Sequence, residues 1–202
     1  MSIFRKVIFL VVSSALSMTL IGTVSADDAK FSISSSTFRD GASLPTSMAW
    51  NNPSCTKDGT AGGNISPELS WRNAPEGVRS FVLIAFDVTA SFTHWGMYNI
   101  PVSTTTLPAG AGIATSAYGE QVPNDFPDRG YDGPCPPAGI APFAHHYLFT
   151  VYALDIHLVL PKFRNFAHTP DALFNALANA GAKGHVLGSA SIGGFYSATP
   201  AP

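Results

Sequence analysis

Ser80-Phe81-Val82-Leu83-Ile84-Ala85-Phe86-Asp87 decides the fold. Its apolar run is too short for a helix that would bury a stripe, it is rich in β-branched and aromatic side chains, and it ends abruptly at Asp87. That combination predicts a strand buried on both faces. Such a strand needs neighbours, and the flanking sequence supplies them. Thr93 to Ile100 alternates, with His94, Gly96 and Tyr98 opposite Trp95, Met97 and Asn99, and Pro101 ends it. His145 to Asp155 places His145, Tyr147, Phe149 and Val151 on one face and His146, Leu148, Thr150 and Tyr152 on the other. Phe31 to Ser35 reads as a first strand. Leu69 and Trp71 share a face of a short one that follows Pro67. A last strand is predicted near His185 to Ala190, followed by a Gly-rich tail carrying Phe195 and Tyr196.

One helix interrupts this pattern. Thr169 stands at a cap position, Pro170 suits the first helical residue, and Asp171 favours the positive end of the helix dipole. Leu173, Phe174, Leu177 and Ala180 form its apolar stripe, and Gly181 and Gly184 are expected to stop it. The fold class is mainly β.

The N-terminus reads as a cleaved export leader, residues 1–26. Arg5-Lys6 is a basic start, Val7 to Leu16 is mostly apolar, and Val24-Ser25-Ala26 carries the small-x-small pattern that precedes cleavage. Residues 27–202 are then a single domain of 176 residues. In that mature chain 9 basic side chains face 13 acidic ones, a net charge of −4 without any Lys/Arg cluster. A nucleic-acid partner is therefore not expected, because no basic stripe is present to displace counterions. Charged residues make up 12% of the chain, about half the usual quarter, so the surface is expected to be neutral-polar and rich in turns. Export also brings Cys55 and Cys135 into an oxidising compartment. They form either a disulfide or a pair of neighbouring buried thiols.

Residues 101–144 are rich in Gly and Pro and read as a long excursion, the kind of loop that is usually functional. Asp87 at a strand tip, His94 at the next strand's start, and His145 with Tyr147 on one face of a third can meet at one end of a sheet. The Gly133-Pro134-Cys135-Pro136-Pro137 segment gives them a stiff rim. Imidazole and phenol groups suit a phosphate-like oxygen. A carboxylate does not, since like charges about 4 Å apart repel by about 4 kcal/mol at an effective dielectric of about 20. Asp87 is thus expected to orient a histidine or to meet a cationic part of the ligand. Asp87, His94 and His145 are also the donor types of an open zinc centre, but no His-x-x-x-His or paired-Cys spacing accompanies them. No Gly-x-Ser-x-Gly elbow points to nucleophilic catalysis. His146, His157, His168 and His185 are assigned surface or structural roles.

Taken in order, Cys55 to Trp71, Asp87 to Asn99, Gly130 to Leu154 and His185 to Tyr196 resemble the phosphatidylethanolamine-binding protein family, also called the Raf kinase inhibitor protein family, in its bacterial branch. The most specific match is Gly133-Pro134-Cys135-Pro136-Pro137 followed by His145-His146-Tyr147. The resemblance implies a β-sandwich of two sheets with one or two peripheral helices and a small pocket for phosphate-like anions or phospholipid headgroups. It implies a binding or inhibitory module without a cofactor; with the missing metal and nucleophile motifs above, no metal ligand and no catalytic residue are expected. Carried over by position, the ligand-binding residues would be Asp87, His94, Gly133, Cys135, His145 and Tyr147. A protein target and a homodimer are further partner expectations. The chain departs from the family pattern at Asp87-Val88-Thr89-Ala90-Ser91, where the family's Asp-Pro-Asp-Ala-Pro has a second acid and two prolines. It departs again at His146, where an Arg is usual.

Overall fold

The computed structural model describes residues 30–126, 128–160 and 169–200. The expected leader and His168 lie outside the described residues. Among the described residues nine strands and one α-helix follow one another: β1 (Ser32–Ser34), β2 (Ala42–Ser43), β3 (Leu69–Arg72), β4 (Ser80–Asp87), β5 (Phe92–Pro101), β6 (Thr106–Leu107), β7 (Glu120–Gln121), β8 (His145–Leu154), α1 (Pro170–Ala182) and β9 (Val186–Tyr196). A six-stranded sheet runs β2-β9-β8-β4-β5-β7, and a three-stranded sheet runs β1-β3-β6. All pairings are antiparallel except β2 with β9.

The double burial predicted for β4 is observed, and each face has its own cover. Phe81, Leu83 and Ala85 join Leu69, Trp71, Leu107, Trp95, Phe149 and Val151 in the core between the sheets. Val82 and Ile84 pack with Leu173, Leu177 and Ala180 of α1 on the outer face. Burying a strand on both faces removes its apolar surface from water twice over, at roughly 25 cal/mol per Å². The architecture is the expected mainly β sandwich with a single helix.

Three local readings are corrected. The alternation in β5 fails twice. One extra residue lies between the pairs Leu83↔Met97 and Phe81↔Ile100, and Asn99 there takes a left-handed φ of 55°. A second extra residue, His94, lies between Ala85↔Trp95 and Phe86↔Thr93. Each bulge lets two consecutive positions share a face. Ile100 therefore returns to the inter-sheet core, and His94 joins Trp95's face instead of that of Gly96 and Tyr98. Secondly, Phe195 and Tyr196 are not tail but strand, because β9 stays paired with β8 as far as His145↔Tyr196. On its other side Gly194 lets β2 lie close alongside in parallel: a Cβ there would lie 2.5 Å from Leu44 Cδ2 and 2.8 Å from the Ala42 carbonyl. Thirdly, Gly181 sits inside α1. Termination falls to Gly184, at φ 79°, with His185 N–H donating to Ala180 O at 2.9 Å and Gly184 N–H to Gly181 O at 3.0 Å. Thr169 occupies the cap position without a side-chain bond.

Cys55 and Cys135 form a disulfide that joins two loops 80 residues apart, with Cα atoms 4.5 Å apart.

Candidate functional site

A cavity of about 240 Å³ opens where β4, β5 and β8 end together. It is lined by Asp87, His94, His145 and Tyr147 with Ala90, Phe92, Phe126, Cys135, Pro136 and Pro137. The register explains the gathering. Asp87 pairs with Tyr147 across β4 and β8, and with Phe92 across β4 and β5. Three strands therefore deliver their polar ends to one level. Asp87, His145 and Tyr147 arrive by simple alternation, while His94 needs its bulge.

The floor is a continuous hydrogen-bonded unit. Asp87 is 2% exposed, and its Oδ1 accepts from Thr89 N–H at 2.8 Å and from Ala90 N–H at 3.0 Å. Its Oδ2 accepts from His145 Nδ1–H at 2.7 Å. The Tyr147 hydroxyl faces the same carboxylate, and burial together with that negative charge pushes its phenol far above the ordinary tyrosine range. Asp87 thus orients His145 and carries no free side for an anion. The same bonds bear on the altered Asp87 to Ser91 turn. Asp87 Oδ1 closes the turn through two amides, and the Thr89 hydroxyl accepts from His146 N–H at 2.9 Å. Hydrogen bonds at Thr89 and Ala90 hold the turn between Val88 and Ser91, the two positions where the family pattern has prolines.

His94 is fixed from the other side. Its Nδ1 lies 2.7 Å from the Asp132 carbonyl, which can only accept, so that nitrogen carries the proton. Asp132 N–H returns a bond to the His94 carbonyl at 3.0 Å. Burial depresses the pKa of His94, opposed by the Asp132 carbonyl and by the carboxylates of Asp87, Asp132 and Asp125. The ring is therefore neutral at pH 7, and its Nε2 is an acceptor. Around the floor, aromatic rings form one wall. Phe92 and Phe126 meet edge-on at 4.7 Å, Trp50 stacks on Phe126 at 5.0 Å, and His94 lies 5.2 Å from the Tyr147 ring.

Five of the six expected ligand residues line the cavity. Gly133 does not: its N–H is bound by Asn64 Oδ1 at 2.7 Å, and its Cα is pressed against the Met48 carbonyl, which a Cβ would approach to 1.8 Å. Its role is to let the rim lie down. Sequence reasoning missed the support beneath that rim. The buried Asp132 carboxylate accepts from Asn64 Nδ2 at 3.0 Å and from Asn124 Nδ2 at 2.7 Å. It also missed Phe92 and Phe126, although both stand within two residues of an element already singled out or of Asn124. Among the described residues no group of three or more His, Cys, Asp or Glu is placed to hold a metal ion. His185 bonds Asp155 at 2.9 Å, and His146 stacks on Phe195 at 4.6 Å.

The family model described as phosphatidylethanolamine-binding protein matches residues 34–197. The chain belongs to that family. It is 38% identical over 155 residues to the UPF0098 protein YbcL of Escherichia coli K12, covering 72% of this chain and 78% of that one. It is 35% identical over 170 residues to YbhB of the same organism, covering 81% and 98%. The crystal structure of E. coli YbcL, described as a new member of the mammalian PEBP family, superposes with a TM-score of 0.67 at 33% identity, over 84% of this chain and 99% of that chain. A PEBP homolog of Chlamydia trachomatis, CT736, superposes with a TM-score of 0.62 at 28% identity, over 83% and 97%.

Proposed function

We propose that this PEBP-family protein is an exported, non-catalytic module that binds a small phosphate-like anion or phosphorylated headgroup in the Asp87–His94–His145–Tyr147 cavity. The observation that carries the reading is the convergence of two imidazoles whose Nδ1 atoms are both anchored from behind. Each ring is held so that its remaining nitrogen serves the cavity, an arrangement that positions a ligand without moving parts. The volume of about 240 Å³ suits a headgroup and not a whole lipid. The Cys55–Cys135 disulfide supports residence in the periplasm or outside the cell, where such bonds persist.

Titration of ¹⁵N-labelled mature protein with inorganic phosphate or phosphoethanolamine tests the reading. Chemical-shift changes are expected to centre on Asp87, His94, His145 and Tyr147 and to vanish in His94→Ala and His145→Ala. Unchanged shifts in the two variants would remove the pocket assignment.

One feature favours a second reading, a docking surface for a protein target. Ile140, Phe143 and Phe195 are 61%, 54% and 42% exposed on the segments leading into and pairing with β8. A pull-down with the His94→Ala/His145→Ala double variant separates the two readings. Retained partner capture supports docking independent of the cavity.

A further inference from the structure

A second, larger cavity of about 580 Å³ lies beside the rim's support, walled by residues of the loops 63–66, 110–114 and 128–132. It shares no lining residue with the cavity at the ends of β4, β5 and β8. Its loops are tied into one frame. Gly110 N–H donates to Ser66 O at 2.9 Å, Gly112 N–H to Ser66 Oγ at 2.9 Å, and Tyr131 N–H to Gly112 O at 2.7 Å. A volume of this size lies inside the range of about 300–1,000 Å³ common to small-molecule sites, and the bonds between its walls form it before a ligand arrives.

The charges of this cavity are not matched within the described residues. Asp132 is 7% exposed, and its carboxylate is met by two neutral amides, Asn64 Nδ2 at 3.0 Å and Asn124 Nδ2 at 2.7 Å. Among the described residues it has no ion pair, and neither have Asp128 and Arg129, the two exposed charged residues on the same cavity. A carboxylate taken out of water ordinarily gains a cation. Two amides also leave part of its acceptor capacity unused, since an ionised carboxylate has about four lone-pair sites. The two acids lack a third ligand for a metal ion among the described residues. Ile65 and Ile113 stand on the same cavity at 45% and 63% exposure, so an apolar face accompanies the charges.

We propose that this cavity binds short apolar peptides in their zwitterionic form, with the α-ammonium group on Asp132, the α-carboxylate on Arg129 and the side chains against Ile65 and Ile113. The proposal does not depend on the anion-binding reading above. An ammonium group brings three donors to an acid that can only accept, and a guanidinium takes a carboxylate through two parallel bonds. Length favours a peptide over a single amino acid. Asp132 and Arg129 are three positions apart, a backbone separation of at most about 10 Å, and a dipeptide spans about 7 Å. Exposed Asp128 adds a second negative charge to the cavity, which repels a peptide stripped of its ammonium group.

The experiment is NMR titration of the ¹⁵N-labelled mature protein near neutral pH with leucyl-leucine. Amide shifts should centre on Asn64, Ile65, Ile113, Arg129 and Asp132. Three further probes each lack one feature: N-acetyl-leucyl-leucine the ammonium group, leucyl-leucinamide the carboxylate, and leucine the length. Each should bind at least about tenfold more weakly than leucyl-leucine. Capping the peptide tests Asp132 without altering a buried acid on which the fold draws. Arg129→Ala, at an exposed position, should weaken leucyl-leucine until it and its amide bind within about threefold of each other. Ile113→Ser should weaken the free and capped peptides alike. The acetylated peptide or leucine binding as tightly as leucyl-leucine overturns the proposal, as does an Arg129→Ala variant that keeps its preference for the free carboxylate. Shifts centred on His94 and His145, or no shifts at millimolar peptide, overturn it as well. The phosphate titration described above uses other ligands and other residues, so its failure and this one are read separately.

Discussion

His94 is the residue through which the site can be followed in solution. Burial lowers its pKa in the folded chain, whereas in the unfolded chain it titrates near 6.5. As pH falls through 6.5 the unfolded state gains the proton first, so stability should decline below that point and level off beneath the folded-state value. Urea unfolding followed by circular dichroism between pH 8 and pH 5 should show this decline in the wild type and a flatter profile in His94→Gln. An equal slope in both would assign the dependence to other groups. At this scale the sequence was only partly legible. The acid at the strand tip and the histidine and tyrosine two residues apart declare themselves by type and spacing. Asn64, Asn124 and the Asp132 carboxylate do not, because their importance comes from contacts across 68 and 8 positions that no local pattern encodes.

At the scale of elements, the existence of the longer strands was readable, while the two-residue strands β2, β6 and β7, the last two inside the expected 101–144 excursion, and the detail of pairing were not. Long alternating runs fix which residues face the core, so β4 and β8 matched their reading residue by residue. The bulges of β5 leave no such mark, since an added residue changes the pairing without changing the composition. One of them carries the chemistry: without it, His94 would point with Gly96 towards Val122 and α1. The rim loop makes a comparable demand at Gly133. Gly133→Ala would drive a Cβ to 1.8 Å from the Met48 carbonyl, a backbone atom that cannot swing aside. The loop must lift, and stability is expected to fall by about 3 kcal/mol or more. The anion shifts at His94 and His145 should weaken as well. A native-like melting curve with unchanged titration would show that the rim can yield.

For the whole molecule, the Cys55–Cys135 bond ties the loop after β2 to the rim of the cavity across 80 residues of chain. Removing it with Cys55→Ala/Cys135→Ala should cost about 2–5 kcal/mol, a drop of roughly 4–20 °C in melting temperature for a domain of this size. Thermal melts of the variant beside the oxidised wild type measure it, and a shift below about 2 °C would make the bond dispensable to the fold. The sandwich was expected from the resemblance more than from the residues. Periodicity identifies strands, but the order β2-β9-β8-β4-β5-β7 depends on pairings between segments as far apart as residues 42 and 194. That order has a further effect at its margins. The long sheet is bounded by β2 and β7, each two residues in length, and loop segments cap more of the adjoining strands through Gly41 N–H to Gly193 O, Leu44 N–H to Phe195 O, Val122 N–H to Gly96 O and Asp125 N–H to Thr93 O. Strand-by-strand growth into fibrils would find at either border a template too short to hold register, a useful property in a protein with few surface charges to keep its copies apart.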